Sequence, residues 1–180
     1  MDGTVRAVHR SDGHTFSKRR EPTITLVAGL GVEGDTHSGA RVRHRSRVRA
    51  DPTQPNLRQV HLIPVELFTL VALAGYTVAP GDLGENVTTE GLELEALPVG
   101  TLLRLGRDAL LSVTGLRNPC GQIDGFRRGL LSEVRTVADD GSIERRAGVM
   151  TVVVHGGQVT PGDPIAVALP PPPHQPQQRV

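Results

Sequence analysis

The only cysteine of the chain lies in the stretch TGLRNPCGQID, at residues 114–124. Pro119 precedes Cys120 and Gly121 follows it, which predicts a thiol presented at a backbone bend directly after a strand. Arg117 adds positive charge three residues upstream. Positive charge favours the thiolate, which is the form that attacks sulfur or binds a soft metal. Three roles are therefore open for Cys120: metal ligand, carrier of a persulfide, or nucleophile.

The role of nucleophile requires a base, and His37, His61 and His155 are the candidates. No Cys–His protease signature surrounds Cys120, so this role is the least favoured of the three. A single cysteine also excludes an internal disulfide and any four-thiolate zinc or iron–sulfur site. The remaining alternative, a cysteine that merely fills an apolar core, agrees poorly with the Pro-Cys-Gly sequence.

Two further motifs carry polar groups on glycine-rich loops. In GVEGDTH, at residues 31–37, Asp35 and His37 share one face if the backbone is extended. They could ligate a metal with a third partner, bind a ligand, or bond only to their own loop. In PGDLGENVTTEG, at residues 80–91, Glu85 and Asn86 follow a glycine. An amide that donates and accepts suits a pterin- or purine-like edge, and the alternative is an ordinary turn.

A fourth motif, RVRHRSRVR at residues 41–49, has an arginine at every second position. If extended, it would present one dense cationic face, suited to nucleic acid or to a small molecule with a phosphate group. Nucleic acid is not favoured, because the interleaved aromatic residues that stack on bases are missing. A solvated loop is the third alternative.

The elements that must position these residues are predicted to be mostly strands. Apolar residues alternate with polar ones or form short runs bounded by turns, and the chain has 21 glycines and 14 prolines. Hydrophobic residues make up 37% and aromatic residues only 2%, so the core must be aliphatic. The predicted strands are residues 4–10, 23–29, 58–63, 101–106, 109–115, 149–156 and 164–169.

One helix is predicted at residues 64–75, with Pro64 at its first position and Gly75 at its end, and a short one within 122–134. This pattern indicates a mostly β fold, a barrel or sandwich with one or two short helices. We expect a single domain at residues 1–169. The last eleven residues, 170–180, contain five prolines and are predicted to form a disordered or extended tail.

The overall charge gives no indication of a polyanionic partner. The chain has 20 basic and 19 acidic residues, so nothing draws it as a whole to nucleic acid or to an anionic membrane. No apolar run approaches the ~18 residues of a membrane span. Together with the single cysteine, this predicts a soluble protein of the reducing cytoplasm, without a membrane partner.

Six blocks of sequence, in this order, resemble the MOSC family, which is named for the C-terminal domain of molybdenum cofactor sulfurase. The resemblance covers residues 20–168 and is to the small stand-alone bacterial members in particular. The blocks are GVEGDTH (31–37), RQVHLI (58–63), PGDLGENVTTEGLEL (80–94), LPVGTLLRLG (97–106), TGLRNPC (114–120) and RAGVMTVVVHGGQVTPGD (146–163).

The resemblance implies a mostly β, MOSC-like barrel that binds the molybdenum cofactor, a pterin-bound molybdenum. It implies that Cys120 is the molybdenum ligand and a catalytic residue, with His37 as a second catalytic residue that supplies protons. The residues that would line the cofactor pocket are Asp35, Glu85, Asn86, Arg117 and Arg146.

The activity implied by the resemblance is the reduction of N-hydroxylated small molecules. The iron–sulfur module of some relatives is missing, so electrons would come from a separate electron-donor protein. The alternative is a carrier of sulfur, as a persulfide on Cys120, or of the cofactor, without turnover of its own. The role of the arginine-rich insert at residues 38–57 stays open.

Overall fold

The backbone is dominated by strands, as its alternating sequence predicts. The structure, a computed structural model, describes residues 2–43, 45–138 and 140–180, and only the backbone of residues 45–47. The strands are β1 (Asp2–Arg10), β2 (Arg19–Glu21), β3 (Ile24–Val27), β4 (Gly31–Val32), β5 (Val60–Pro64), β6 (Val87–Glu90), β7 (Leu102–Leu105), β8 (Ala109–Leu116), β9 (Arg135–Val137), β10 (Ile143–Arg145), β11 (Val149–His155), β12 (Gly157–Val159) and β13 (Pro164–Ala168).

The helices are short: α1 (Arg45–Ala50), α2 (Glu66–Leu73), α3 (Gln122–Phe126) and α4 (Leu130–Val134), with a 3₁₀ turn at Leu94–Ala96. The helix predicted at 64–75 is α2, but Pro64 closes β5 instead of opening the helix, since it pairs with Thr89 at the strand end. The helix predicted within 122–134 is split into α3 and α4 at Gly129, where φ is +88°.

Eight strands form one sheet, in the order β13–β7–β8–β11–β5–β6–β1–β2. Strands β1 and β13 also pair with each other, which closes seven of the strands into a barrel and leaves β2 as an extension of β1. Strands β5 and β6 are parallel, and α2 forms the crossover that a parallel pair requires. This closed barrel confirms the predicted mostly β fold.

The interior of the barrel is aliphatic. In β8 the residues alternate strictly between buried and partly exposed, so that Ala109, Leu111 and Val113 point inward. A second buried cluster, around Ile63, Leu83 and other apolar residues, lies beneath α2, α3 and α4. This second cluster anchors α3, the helix that follows Cys120 directly, through the fully buried Ile123.

The arginine-rich stretch at 41–49 is not extended throughout, as the cationic face suggested above would require. Arg41 forms a bridge with Pro55, and from Arg45 the chain is helical, in α1. Arginine has a good helix propensity, and nothing in this stretch pairs the residues after 44 as a strand. His44, in the middle of the motif, lies outside the described residues.

The tail at residues 170–180, predicted to be disordered or extended, bends at residues 171–173 and then lies along the barrel. The backbone N–H of Val99 donates to the carbonyl of Gln175, at 3.0 Å. Farther on, Leu116 at the end of β8 bonds to the carbonyl of Gln178, at 2.8 Å. The tail therefore reaches the strand end that leads to Cys120.

Candidate functional site

A cavity of about 170 Å³ lies between the β1–β2 loop, the segment before β5 and the loop that leads to α3. Its lining is rich in cationic and imidazole side chains: Lys18, Arg43, Arg58 and Arg117, with His14, His37 and His61. No Asp or Glu is among its lining residues within the described part of the chain. The cavity therefore suits an anionic ligand.

Asp35 lies directly behind this lining, where it binds Lys18 and His37. Its Oδ2 is 2.6 Å from Lys18 Nζ, and its Oδ1 accepts a hydrogen bond from the backbone N–H of His37, at 2.9 Å. His37 Nδ1 is 3.3 Å from the same Oδ1. Burial acts to raise the pKa of Asp35, but the bonds from His37 and the charge of Lys18 outweigh it and lower that pKa. Asp35 thus stays ionised and orients the imidazole of His37.

Asn86 is held between the same carboxylate and the start of β5. Its amide nitrogen donates to Asp35 Oδ2, at 3.0 Å, and to the carbonyl of His9, at 3.2 Å. Its Oδ1 accepts from the backbone N–H of His61, at 3.2 Å. Because both amide hydrogens are used inside the protein, Asn86 fixes the wall of the cavity and has only oxygen lone pairs left for a ligand.

Glu85 is fully buried and lies behind the cavity lining, not in it. Its Oε1 accepts hydrogen bonds from the backbone N–H of Gly81 and from the hydroxyl of Thr88. Burial raises the pKa of Glu85, while these hydrogen bonds and the charge of Arg117 act in the opposite direction. Glu85 is therefore a buried acid that lies near Arg117, on the side of the lining away from the cavity.

Arg117 follows β8 and carries its guanidinium into the cavity wall, where the residue is only 7% exposed. One face of the guanidinium lies over the ring of Phe16, at 5.9 Å. Its Nη1 is buried and has no hydrogen-bond acceptor among the described residues. Burial lowers the pKa of Arg117, and the nearby Cys120 and Glu85 act to raise it. A buried cationic N–H without an acceptor is a position that a ligand oxygen would satisfy.

Cys120 is half-buried at the edge of this cavity and does not line it. Its Sγ donates to Oε1 of Gln122, at 3.6 Å, and Gln122 does line the cavity. The backbone N–H of Ile123 bonds to the carbonyl of Cys120, at 3.0 Å, so the thiol stands at the turn that opens α3. The thiol is thus one side chain away from the cationic cavity and is not packed into the aliphatic core.

A second, more open groove of about 740 Å³ adjoins the cavity. Thr15, Phe16 and Gln122 line both spaces and form the wall between them. The far side of the groove carries Phe126, whose ring centroid is 5.9 Å from that of Phe16. The chain has only three phenylalanines, and two of them line this groove together with Gln122, the side chain that accepts from the thiol.

Two of the residues considered above lie elsewhere. Arg146 is exposed, donates to Glu144 Oε2 at 2.7 Å, and is not among the residues that line the cavity; its assignment to the cofactor stays a prediction. The imidazole of His155 is exposed and bonds to the carbonyl of Asp108, at 3.0 Å, away from Cys120. Of the arginine-rich motif, Arg43 does line the cavity.

Sequence reasoning missed Lys18, Phe16 and Gln122. One signal for Lys18 was available, since it is the only lysine in a chain with nineteen arginines. Its side chain is 4% exposed, which a lysine tolerates only with a buried partner. A signal for Phe16 was also available, since the chain has only three phenylalanines and one tyrosine.

The family model of the MOSC domain matches residues 31–166, and the chain belongs to this family. Its fold is similar to that of the YuaD protein from Bacillus subtilis, with 22% identity, a TM-score of 0.76, and coverage of 93% of this chain and 96% of that one. It is also similar to YiiM from Geobacillus stearothermophilus, with 16% identity, a TM-score of 0.63, and coverage of 92% and 75%. YiiM from Escherichia coli is also similar, with 22% identity, a TM-score of 0.63, and coverage of 97% of this chain and 73% of that one. No curated protein matches the chain.

Members of the MOSC family often bind the molybdenum cofactor. Among the described residues, no helix has the length and apolar character needed to cross a membrane.

Proposed function

We propose that the protein binds the molybdenum cofactor in the cationic cavity, with Cys120 as the protein ligand of the molybdenum. The observation that carries this proposal is the pairing of a single half-buried thiol with the buried guanidinium of Arg117, whose Nη1 has no acceptor among the residues that the structure describes. The cofactor has an anionic phosphate and its own sulfur ligands, so it needs cations and one thiolate from the protein.

The residues present fit this group. Arg117, Lys18 and Arg58 would supply the positive charge that holds the phosphate, and Asn86 Oδ1 retains a lone pair for a pterin N–H. Arg43, which lines the cavity, would add to this charge, and the exposed Arg146 would act only from outside the lining. Glu85, buried and bonded to Gly81 and Thr88, would hold the loop before β6 in place.

We further propose that the protein is a reductase of N-hydroxylated small molecules. When bound, the molybdenum would supply the redox chemistry that removes the substrate oxygen, with electrons from a separate donor protein. His37, oriented by the ionised Asp35, would deliver a proton to the leaving oxygen. The groove beside Phe16 and Phe126 would admit the substrate next to Cys120. A free thiol is best preserved in the reducing cytoplasm, where we expect the reaction to take place.

The test is metal analysis of protein expressed in cells that make the molybdenum cofactor. We expect about one molybdenum per chain in the unmodified protein and a loss of at least tenfold in Cys120→Ser. Arg117→Gln should reduce loading, because it removes the buried charge. Arg146→Gln tests whether an exposed arginine outside the cavity lining contributes to molybdenum loading. Equal molybdenum content in the unmodified protein and Cys120→Ser would refute the assignment of Cys120.

The alternative role, a carrier of sulfur or of the cofactor without turnover, is favoured by the partial exposure of Cys120. Intact-mass measurement separates the two. One extra sulfur atom on Cys120, in protein that shows no reductase activity with an added electron donor, would support the carrier. Molybdenum bound to a protein that turns over an N-hydroxylated substrate would support the reductase.

A further inference from the structure

The C-terminal tail is seated on the barrel by both its backbone and a side chain. Val99 N–H donates to the carbonyl of Gln175, at 3.0 Å. The side-chain amide of Gln177 donates to the carbonyls of Leu94 and Leu97, each at 2.8 Å. Gln177 thus binds the first carbonyl of the 3₁₀ turn and the carbonyl of the residue that directly follows the turn. These bonds fix the path of the tail before it reaches β8.

The last residues of the tail then cover an edge of β8 that no other strand covers. Strand β7 pairs with β8 only from Ala109 to Ser112. Beyond that point, the N–H of Leu116 donates to the carbonyl of Gln178, at 2.8 Å, and its carbonyl accepts from Val180 N–H, at 3.2 Å. On its other side Leu116 pairs with β11. The tail therefore takes the place that a longer β7 would have had.

A glycine at position 115 makes this close approach possible. A Cβ on Gly115 would collide with the carbonyl oxygen of Gln178 and would lie 2.8 Å from Cγ1 of Val180. The residue is buried, so a side chain there could not turn toward solvent. The tail can therefore lie against β8 only because residue 115 has no side chain.

We propose that residues 175–180 act as a strap that positions the loop of Cys120. Leu116 is the last residue of β8, Arg117 is the next residue, and Cys120 follows three residues later. With the strap in place, Leu116 bonds to the tail on one side and lies in register with Val149 of β11 on the other. The end of β8 then has a neighbour on both sides, which sets the orientation of the Arg117 guanidinium and the Cys120 thiol. The inference goes beyond the proposed function, because it concerns the thiol itself and requires no cofactor.

Loss of the strap would leave Leu116 with an open edge and would release residues 114–120 on one side. The backbone bond from Arg117 N–H to the carbonyl of Gly148, at 3.0 Å, would remain. Segments with few bonds of this kind open locally far more often than the rest of a fold. The strap therefore limits how often the loop that carries the half-buried thiol opens further.

The experiment is a deletion of residues 175–180, made in a host without the molybdenum cofactor, so that the outcome does not depend on the proposed function. Because the chain has one cysteine, the rate of reaction with a disulfide reagent such as Ellman's reagent reports Cys120 alone. We expect this rate to rise about threefold to tenfold, the ratio that corresponds to one or two lost hydrogen bonds. Exchange of the Leu116 amide hydrogen should accelerate together with it.

Gly115→Ala separates the strap from ordinary backbone strain. In the full chain it should displace the strap and raise the Cys120 rate as the deletion does. In the shortened chain it should have a smaller effect, since Gln178 and Val180 are gone and only the backbone strain at φ +156° remains. An equal effect of Gly115→Ala in both chains would overturn the proposal, as would a deletion that leaves the Cys120 rate and the Leu116 exchange unchanged.

If the shortened chain does not fold, Val180→Pro tests the contact between the tail and Leu116 in a chain of full length. It removes the N–H that donates to the Leu116 carbonyl and replaces the valine side chain with the proline ring. The matched control is Arg179→Ala, which removes an exposed side chain and keeps the backbone donor. We expect a faster Cys120 reaction in Val180→Pro only; equal rates in Val180→Pro, Arg179→Ala and the unmodified chain would overturn the strap.

Discussion

At the scale of single residues, the site depends on an ion pair that is almost completely shielded from water. The side chains of Lys18 and Asp35 are 4% and 2% exposed, with Nζ and Oδ2 2.6 Å apart. Burial lowers the pKa of Lys18, and the charges of Asp35 and Glu85 oppose that shift. Removing one partner of such a pair leaves the other charge buried and unpaired, which is more costly than removing both.

We therefore expect Lys18→Met to lower the free energy of unfolding by about 3–5 kcal/mol. The double variant Lys18→Met/Asp35→Asn should lose less than the sum of the two single variants. The matched control is Arg6→Met, from the exposed pair of Arg6 and Glu90, with a cost of at most about 1 kcal/mol. Urea denaturation measures all of them. A loss for Lys18→Met as small as for Arg6→Met would contradict the buried pair.

His9 gives the protein a dependence on pH. Its ring is fully buried without a hydrogen-bond partner among the described residues. Burial, and then the charges of Arg20 and Lys18, lower its pKa from 6.5 to about 4. The unfolded chain therefore binds this proton more readily than the folded one, so stability is complete above pH 6.5 and falls as the pH drops toward 4.

His9→Gln should make unfolding less sensitive to acid. Between pH 7 and pH 5, titration of His9 accounts for about 2 kcal/mol of lost stability, which the variant would not lose. The measurement is urea denaturation of both proteins at the two pH values. If the two proteins lose the same free energy between pH 7 and pH 5, His9 does not titrate as described.

The residues of the site could be predicted from the sequence where they stand in a short motif of polar residues. They could not be predicted where the site is formed by segments that are far apart in the sequence. Asp35, His37, Asn86 and Arg117 stand in short motifs, and the structure brings all four together at one cavity. Lys18 and Phe16 come from a β1–β2 loop without such a motif. Their place at the cavity depends on the folding of that loop over the barrel end, which local spacing does not encode.

At the scale of elements, the ends of strands position the site more than the helices do. Gly148, just before β11, donates to Glu95 Oε1 at 3.0 Å and accepts from Arg117 N–H at 3.0 Å. Its φ is +79°, and an added Cβ would collide with the carbonyl of Leu62 and lie 2.9 Å from Ile63 Cγ1. The carbonyl of Leu62 belongs to the backbone of β5, and the Ile63 side chain is fully buried, so neither neighbour has room to move away.

Gly148→Ala should therefore cost about 3–5 kcal/mol, the combination of a left-handed backbone and an overpacked contact. Gly162→Ala is the matched control, since its φ is +97° and nothing lies within 4 Å of an added Cβ. It should cost only about 1–2 kcal/mol. Thermal or urea denaturation compares them. Similar losses at the two positions would mean that the contact with β5 is absent in solution.

The elements themselves were predicted well where burial alternates along a long strand. The predicted strand at 109–115 is β8, and the pattern in it is the same in sequence and structure. The two-residue strand β4 and the helix α1 were not predicted. Gly31–Val32 forms a strand because it pairs with the neighbouring β3. The residues of α1 belong to an alternating arginine pattern that is equally compatible with a strand. Tertiary context decides in such short segments.

At the scale of the whole molecule, the barrel is closed by its two ends. Strand β1, near the start of the chain, pairs with β13, so that Gly3 faces Ile165. On its other side Ile165 faces Leu105 in β7, and its side chain is fully buried. A closed barrel of this kind has no free edge between first and last strand, and opening one pair weakens the next.

Ile165→Ala should accordingly lower the free energy of unfolding by about 2–5 kcal/mol without creating an intermediate. Unfolding followed by far-ultraviolet circular dichroism and by the reactivity of Cys120 should give one midpoint. Leu73→Ala, on a side chain that is 85% exposed, is the control and should change stability by less than about 0.5 kcal/mol. Two separate midpoints in Ile165→Ala would show that the barrel does not unfold as one unit.

The burial of Lys18 has a practical consequence for work with this protein. Since no other lysine exists in the chain, an amine-directed crosslinker, dye or biotin ester finds no lysine side chain on the folded surface. Acylation of Lys18 would instead report that the end of the barrel has opened. Attempts to capture the proposed electron donor by crosslinking should therefore use reagents aimed at carboxylates or arginines, which are abundant on the surface.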